Sequence, residues 1–401
     1  MSTSDNHRRH SATHAVTAGR RKDWTHGIVN PPVYRASTCT FDTYGEMQDR
    51  LKDKTGHKLF YGRKGTPTHW AFEEALQEME GGTECKVFPS GVAAVTGAIL
   101  SVVKSGDHVL ITDSVYDPTR SFADGMLATL GVETSYYDPQ IGDGIRDLIR
   151  PNTRALFTES PGSLTFEVQD MPALVKAARD HDLFVLCDNT WATPLFFRPL
   201  EHGVDLSIQA CTKYIGGHSD VMLGAVVAND RTAPRLRSLV RALGQTASPD
   251  DVYLATRGLR TLPVRMAQHQ KNALAVAHWL NGHPMVDRVL HPALEGCPGH
   301  DLFLRDFDGA SGLFSIVLTG GDYPDTAAMV DEMTLFKMGF SWGGYESLIM
   351  PSDPARCRSV TPWQAPGPVL RLHIGLEEPE DLIAELDQGL ERYKAHLDRK
   401  G

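Results

Sequence analysis

Helical and strand-like patterns alternate along the chain from about residue 68 to residue 230. Residues 68–80 place apolar side chains on one helical face and end at a glycine pair, which is typical of a helix stop. Short apolar runs then recur, as expected of strands that are covered on both faces of a sheet. These runs lie at 109–111, 155–157, 183–187 and 206–208. The alternation predicts an α/β domain built on a mostly parallel sheet.

A different pattern begins near residue 230, where helical segments come before strand-like stretches. The helical segments lie at 234–243 and 264–280, the strand-like stretches at 312–318 and 369–374, and a final amphipathic helix at 379 to about 396. This succession is typical of a smaller α+β domain. We therefore predict a large domain at 61–255 and a C-terminal α+β domain at 256–401.

The first 60 residues are predicted to form a leader and an arm outside both domains. Residues 1–26 are polar, include Arg8 and Arg9, and lack the apolar stretch of a secretory signal. We expect them to form a disordered leader. A transit peptide is the alternative interpretation of this arginine-bearing segment.

Composition and charge exclude several classes of protein. The 401 residues carry a formal net charge of −10, which disfavours general binding to nucleic acid. No apolar run approaches the roughly 18 residues of a membrane span. The six cysteines form no CxxC pair and no HExxH motif occurs, so no metal site is predicted. We expect a cytoplasmic protein with reduced thiols and neither nucleic acid nor membrane as a partner.

Polar residues follow the apolar runs at the points where the predicted strands end. Tyr116 comes shortly after one run, and Asp188 and Lys213 follow two others. In open α/β sheets, ligands bind beyond the carboxyl ends of the strands. The sequence therefore predicts that Tyr116, Asp188 and Lys213 converge on one pocket.

Lys213 and Asp188 have the chemistry that a carbonyl cofactor requires. Burying a lysine ammonium next to a strand is costly, whereas a Schiff base with a carbonyl group gives the nitrogen a role there. A carboxylate at position 188 can pair with a pyridinium nitrogen and strengthen such a cofactor as an electron sink. Two plainer interpretations stay open, namely a lysine that reaches solvent and an aspartate that caps a turn.

Three further features can bind anions. The turn at residues 90–92 opens a predicted helix, and helix N-termini attract phosphate groups. Tyr61 and Arg63 offer a hydroxyl and a guanidinium group in a basic loop. Arg371 has apolar neighbours on both sides, so it either forms a buried ion pair or faces a carboxylate ligand.

Other chemistries lack their motifs. Neither the GxGxxG fingerprint of dinucleotide binding nor the GxxxxGK[ST] loop of nucleotide hydrolysis occurs. Ser101 and Lys104 match the SxxK spacing of serine acyl enzymes, but they lie at the end of a predicted amphipathic helix. That chemistry is kept only as an alternative.

Seven segments together resemble the Cys/Met-metabolism family of pyridoxal-phosphate enzymes. They are Tyr61-Gly62-Arg63 with Gly65-Thr66, Phe88-Pro89-Ser90-Gly91, Glu159-Ser160-Pro161-Gly162-Ser163, Asp188-Asn189-Thr190-Trp191-Ala192, the segment around Lys213, Ser341-Trp342-Gly343-Gly344-Tyr345-Glu346-Ser347, and Arg371-Leu372-His373-Ile374-Gly375-Leu376. The resemblance covers nearly the whole chain beyond the leader. It implies an aspartate-aminotransferase-like fold of type I and pyridoxal 5'-phosphate as the cofactor.

The resemblance also implies roles for single residues. Lys213 carries the cofactor and is catalytic, Tyr116 stacks on the ring and is catalytic, and Asp188 pairs with the pyridine nitrogen. The implied phosphate ligands are Gly91, Val92 and Thr212, with Tyr61 and Arg63 from a neighbouring subunit. The implied substrate-binding residues are Arg371 and Ser341, which receive the α-carboxylate, and Trp342 beside them.

Two residues differ from those common in the wider family, and these differences bear on which reaction is expected. Many relatives have Asn where this chain has Ser163, and Ser where it has Ala210. Both residues, together with the stretch that begins at Ser341 and Trp342, resemble the bacterial β-lyase branch. The expected reaction is cleavage of L-cystathionine to L-homocysteine, pyruvate and ammonia in methionine biosynthesis. The alternatives are a cystathionine or methionine γ-lyase and a protein that binds the cofactor without turnover. The resemblance also implies the family's usual assembly, a homotetramer built from two dimers.

Overall fold

The computed structural model describes residues 10–53 and 57–400. The α-helices of these residues are α1 (Ser11–Thr17), α2 (Lys22–Thr25), α3 (Tyr44–Leu51), α4 (Pro67–Glu80), α5 (Gly91–Val102), α6 (Asp117–Phe122), α7 (Met171–Asp180), α8 (Thr193–Phe196), α9 (Ala233–Leu243), α10 (Pro249–Asn281), α11 (His300–Asp306), α12 (Ala327–Val330) and α13 (Pro379–Lys400). The strands are β1 (Glu84–Phe88), β2 (His108–Thr112), β3 (Glu133–Tyr137), β4 (Thr153–Glu159), β5 (Phe184–Asp188), β6 (Leu206–Gln209), β7 (Gly224–Ala228), β8 (Val286–Leu290), β9 (Leu313–Leu318), β10 (Leu348–Ser352) and β11 (Val369–His373).

The larger sheet has seven strands in the order β1-β7-β6-β5-β4-β2-β3. Strands β3, β2, β4, β5 and β6 pair in parallel, whereas β7 runs antiparallel to both of its neighbours. The four predicted apolar runs are the central strands β2, β4, β5 and β6. The prediction of a mostly parallel α/β sheet is confirmed.

Capping residues fix where the helices beside this sheet begin. The Ser90 hydroxyl accepts a hydrogen bond from the Ala93 amide at the start of α5, and the Asp170 carboxylate does the same for Ala173 in α7. Each bond satisfies an amide that has no partner within its own helix. These caps set the start of α5 next to the carboxyl ends of β5 and β6, where the candidate site forms.

The C-terminal part is built on a four-stranded antiparallel sheet in the order β10-β11-β9-β8. The predicted stretches at 312–318 and 369–374 are β9 and β11. The predicted helix at 264–280 was placed too short, because α10 begins at Pro249 and runs through Pro263. The buried side chains of Leu259, Leu262 and Met266 outweigh the hydrogen bond that a proline removes. Since α10 crosses residue 255, the proposed domain division stays a prediction.

The expectation of a disordered leader is wrong for the part that the structure describes. Residues 1–9, including Arg8 and Arg9, lie outside the described residues, but α1 packs against α4 and α10. Ala15 and Trp24 are buried, and Arg260 of α10 donates a hydrogen bond to the Ala15 carbonyl at 2.8 Å. These few apolar side chains in a polar segment provide the packing that orders it.

No helix within the described ranges is both long and apolar enough to cross a membrane. Those ranges also contain no group of three or more His, Cys, Asp or Glu side chains that could hold a metal ion. The six cysteines are free thiols.

A buried carboxylate ties the C-terminal part to the larger sheet. Asp113, directly after β2, accepts hydrogen bonds from the amides of Ser359, Val360 and Thr361 and from the Arg120 guanidinium. Although burial opposes ionisation, the hydrogen bonds from these backbone amides lower the pKa of Asp113 to about 2. The ionised carboxylate therefore stabilises the fold above its ordinary pKa of 3.8, and this stabilisation is lost as the pH falls towards 2.

Replacing Asp113 by alanine is expected to lower the free energy of unfolding by about 3–5 kcal/mol, because the Arg120 cation and several amides lose their buried partner. Chemical denaturation at pH 7 measures this loss. The control is Asp143→Ala, which removes an exposed ion pair to Arg146 and should lower the free energy of unfolding far less. Equal effects of the two substitutions would contradict the role given to Asp113.

Candidate active site

The carboxyl ends of β2, β4, β5 and β6 border one cavity. Tyr116, Asp188 and Lys213, which were predicted to converge, all line it. The start of α5 and Arg371 of β11 complete its wall, together with Trp342. The convergence follows from the parallel sheet, since parallel strands bring their carboxyl ends to the same edge.

Lys213 holds a primary amine inside this cavity. Its Nζ donates a hydrogen bond to Ser341 Oγ at 2.6 Å and lies 5.1 Å from the ring centroid of Trp342. Burial and the positive charge of Arg371 lower the pKa of Lys213 to about 8, and the Asp188 carboxylate opposes this shift. The uncharged form that a nucleophile or base requires is therefore a minor fraction near neutral pH, but a much larger one than in an ordinary lysine.

Asp188 presents a carboxylate to the cavity at the end of β5. Thr190 donates to its Oδ1 from the backbone amide at 3.0 Å and from the hydroxyl at 2.6 Å. The same hydroxyl accepts a hydrogen bond from the Ala210 amide at 2.8 Å, so Thr190 links the segments after β5 and β6. Burial raises the pKa of Asp188, and these hydrogen bonds and the Lys213 charge oppose the rise. The described residues bind only Oδ1, which leaves Oδ2 for a ligand.

The start of α5 forms a close-fitting turn at the base of the cavity. A side chain at Gly91 would place its Cβ 2.7 Å from Cβ of Ala210, so only glycine allows this approach. The amides of Gly91 and Val92 precede the first intrahelical hydrogen bonds and can face an anion. The Thr212 hydroxyl already bonds the backbone of Leu223, so a phosphate would replace one of these bonds.

Arg371 is the second cation of the cavity. Its Nη2 donates to the Ser341 carbonyl at 3.3 Å, and burial lowers its pKa. Among the described residues no carboxylate forms an ion pair with Arg371, whereas its neighbourhood in the strand is apolar. Of the two interpretations left open by the sequence, the structure therefore favours a guanidinium that faces a carboxylate ligand.

Glu159 and Thr190 contribute to the site although no role was predicted for them. The Glu159 carboxylate accepts a hydrogen bond from the Tyr116 amide at 2.8 Å, and burial together with the Asp188 charge raises its pKa. Both residues belong to polar segments that follow apolar runs, which is the signal that identified Asp188 and Lys213. That signal marks Glu159 as well, since it ends the apolar run of β4, but it does not show which role the carboxylate has.

Tyr61 and Arg63 do not reach this cavity. Tyr61 is 43% exposed and pairs as an isolated bridge with Thr38, and Arg63 donates to the Arg241 carbonyl at 3.3 Å. Their predicted role in a neighbouring subunit stays a prediction. Ser101 is not placed to act as an acyl-transfer nucleophile, because its hydroxyl donates to the Ala98 carbonyl within α5.

Comparison with known proteins identifies the family. The sequence model described as Cys/Met metabolism PLP-dependent enzyme, where PLP is pyridoxal 5'-phosphate, matches residues 12–391. The chain belongs to this family. The earlier resemblance is thereby confirmed, and pyridoxal 5'-phosphate is the cofactor.

Two curated relatives carry the name cystathionine beta-lyase. The chain is 46% identical over 386 residues to cystathionine beta-lyase MetC of Escherichia coli (strain K12) and 45% identical over 387 residues to cystathionine beta-lyase of Haemophilus influenzae. Each alignment covers 95% of this chain and 98% of the relative. This family member is therefore similar to those enzymes along almost its full length.

A solved structure supports the assignment to this family. Cystathionine gamma synthase from Xanthomonas oryzae pv. oryzae in complex with cystathionine superimposes with a TM-score of 0.88 at 32% identity. The match covers 97% of this chain and 99% of that chain. The predicted fold of type I for a pyridoxal-phosphate enzyme is confirmed.

The residues of the cavity fit pyridoxal 5'-phosphate. Lys213 supplies an amine for the carbonyl group, and Asp188 has an oxygen free to pair with the ring nitrogen. The turn at the start of α5 offers a phosphate group the amides of Gly91 and Val92, which precede the first intrahelical hydrogen bonds. The donor set of this family member therefore matches the three chemical features of the cofactor.

Proposed function

We propose that this protein is a pyridoxal-phosphate-dependent carbon–sulfur β-lyase that converts L-cystathionine and water into L-homocysteine, pyruvate and ammonia. The observation that carries the proposal is the joint placement of two groups in one cavity: the Lys213 amine, whose pKa is lowered, and the Arg371 guanidinium, which has no carboxylate partner among the described residues. The similarity to enzymes named cystathionine beta-lyase supports the choice of substrate. The chain's own residues account for binding, orientation and proton transfer as follows.

Arg371 and Ser341 orient the substrate. The Arg371 guanidinium binds the α-carboxylate of the three-carbon half in a bidentate manner, and its hydrogen bond to the Ser341 carbonyl fixes its direction. Trp342 lies beside Lys213 and limits the space for water around the amine. The α-carbon is thereby held close to Lys213 Nζ.

When bound, pyridoxal 5'-phosphate would supply an electron sink for the α-carbon, and Asp188 would hold its ring nitrogen protonated. Lys213 Nζ removes the proton from the α-carbon as a general base. The same amine then gives a proton to the departing sulfur as the bond between Cβ and sulfur breaks. Homocysteine leaves, and hydrolysis of the remaining three-carbon fragment gives pyruvate and ammonia.

The β-reaction needs fewer proton transfers than a γ-reaction. A γ-lyase must also remove a proton from Cβ and releases 2-oxobutyrate, so it needs a base placed for a second carbon. Ser163 and Ala210, the two residues that resemble the bacterial β-lyase branch rather than the wider family, both line this cavity. This arrangement supports β-elimination.

Thr190 is expected to set the charge and direction of Asp188. In Thr190→Val the Asp188 carboxylate loses a hydroxyl donor at 2.6 Å, so kcat should fall about 10-fold. Thr190→Ser keeps the hydroxyl and should stay within about 3-fold of the wild type. Steady-state assays of pyruvate release measure both, and equal rates for the two variants would exclude this role of the hydroxyl.

The proposed function is tested by supplying the PLP-loaded protein with L-cystathionine and, separately, with L-methionine. We expect pyruvate and homocysteine in equal amounts from L-cystathionine and negligible turnover of L-methionine. Release of 2-oxobutyrate from either substrate would assign the chain to the γ-lyases. A preparation that absorbs visible light but turns over neither substrate would instead be a cofactor-binding protein.

We further propose a cytoplasmic homotetramer in which the arm within residues 1–60 and its neighbours complete the site of another subunit. The exposure of Tyr61 and the distance of Arg63 from its own cavity support this assembly. Light scattering of the purified protein measures the mass of the assembly. A monomeric active enzyme would rule out the predicted contribution of Tyr61 and Arg63 across subunits.

A further inference from the structure

Glu80 is a carboxylic acid that is completely buried below the active site. It is the last residue of α4 and has no exposed surface. Its Oε1 accepts hydrogen bonds from Ser207 Oγ at 3.0 Å and from Gln209 Nε2 at 2.8 Å, and both donors belong to β6. Strand β6 leads to Lys213, so Glu80 contacts the structural support of the catalytic amine.

Two buried oxygen atoms of this cluster lack a hydrogen-bond donor. Within the described residues, Glu80 Oε2 and Asn189 Oδ1 have no partner. The Asn189 side chain lies close enough to the Glu80 carboxyl group to influence its pKa. Turning the amide of Asn189 over would not help, because its Nδ2 donates to the Phe197 carbonyl at 2.8 Å, and that carbonyl would then meet an oxygen. A proton on Glu80 satisfies both orphaned atoms at once.

We propose that Glu80 is uncharged in the native enzyme at pH 6 and donates a hydrogen bond from Oε2 to Asn189 Oδ1. This bond connects the residue next to Asp188, at the end of β5, with the strand that leads to Lys213. Glu80 is therefore a positioning residue, which holds the two cofactor-binding strand ends at a fixed separation.

The surroundings of Glu80 offer little compensation for a negative charge. Burial raises the pKa of Glu80 from its ordinary 4.5 to about 7, and the hydrogen bonds from Gln209 and Ser207 only partly oppose this. Arg198 is the cation that faces it, and that guanidinium pairs with Glu201 at 2.7 Å. The other titratable groups around the carboxyl group are buried thiols whose own pKa values are raised, so they stay uncharged; they are Cys85, Cys187 and Cys211.

The matched substitutions are E80Q and E80L. Glutamine has the same shape as a protonated glutamate, because its oxygen can accept from Ser207 and Gln209 while its amide donates to Asn189. Leucine has a similar volume and removes every hydrogen bond of the cluster. Both proteins are compared with the wild type in the PLP-loaded form.

The first readout is the midpoint of thermal unfolding as a function of pH. A raised folded-state pKa stabilises the wild type fully below about 4.5, and this contribution is lost as the pH rises to about 7. E80Q should therefore match the wild type near pH 5 and exceed it by a few degrees at pH 8, whereas E80L should be lower at both. The proposal would be overturned if the unfolding midpoint of the wild type rose relative to that of E80Q with increasing pH, or if E80Q failed to fold.

The second readout is the infrared spectrum, which does not depend on turnover. The difference between wild type and E80Q, or between wild type and E80L, should contain the carbonyl stretch of one protonated carboxylic acid at pH 6. Other buried acids, such as Glu159, are the same in all three proteins and cancel in the subtraction. A carboxylate band in its place would overturn the assignment.

The positioning role has its own readout in the bound cofactor. E80Q should keep the visible absorbance spectrum of the wild type and a kcat within about 2-fold, whereas E80L should shift the spectrum and lose about 10-fold in kcat with a smaller change in KM. Rescue by glutamine separates the hydrogen bonds from the charge. An E80L protein with the wild-type spectrum and kcat would show that Glu80 does not position Asp188 and Lys213.

Discussion

Replacing Lys213 by alanine is expected to lower kcat for pyruvate release by about 10⁴-fold. The substitution removes the amine that takes the α-proton and the donor that protonates the departing sulfur. Ser341 and Trp342, which contact Nζ in the wild type, cannot replace it, because neither carries a group that is basic near neutral pH. The measurement is a coupled assay of pyruvate with saturating L-cystathionine.

The matched variant is Lys213→Arg, which keeps a cation of similar length but remains protonated at all relevant pH values. We expect it to be as inactive as the alanine variant, since a positive charge alone cannot act as the base. Activity within 10-fold of the wild type in either variant would show that another group moves the protons.

Loss of the Arg371 guanidinium should have the second-largest effect. In Arg371→Leu the α-carboxylate enters an apolar strand environment without its partner, so KM for L-cystathionine should rise about 100-fold. Arg371→Lys keeps the charge but not the bidentate geometry, and should raise KM about 10-fold. Initial rates over a range of substrate concentrations separate KM from kcat.

Binding of the cofactor is the control for both Arg371 variants. Arg371 contacts Ser341 but none of the residues that fit the phosphate or the ring nitrogen, so the visible absorbance of the bound cofactor should be unchanged. A lost absorbance band would mean that Arg371 holds the cofactor rather than the substrate. An unchanged KM would contradict its role in carboxylate binding.

The convergence of Lys213, Asp188 and Tyr116 could be predicted because it depends on parallel strands, whose apolar pattern is visible in the sequence. Apolar runs covered on both faces are recognisable as parallel strands, and such strands bring their carboxyl ends to one edge. The polar residue after each run therefore belongs to the site edge. The catalytic and binding roles of these residues stay predictions, whereas their placement around one cavity is a feature of the structure.

Other features could not be predicted because their partners come from distant segments. The Glu80 cluster joins the end of α4 to β6 across more than a hundred residues, and nothing near Glu80 in the sequence indicates its burial. The packing of α1 includes a hydrogen bond from Arg260 to the Ala15 carbonyl, a residue 245 positions away. Helix α10 continues through Pro263 because tertiary packing outweighs local propensity. All three features arise from tertiary packing and have no counterpart in the local sequence pattern.

The central claim is that the bond between sulfur and the β-carbon is the one that breaks. It is tested most directly with L-cystathionine labelled with ¹³C in its three-carbon half and with the products analysed by mass spectrometry. The account predicts that all of the label appears in pyruvate and that homocysteine is unlabelled. Labelled cysteine together with unlabelled 2-oxobutyrate would contradict it, because the bond on the other side of the sulfur would then have been cleaved.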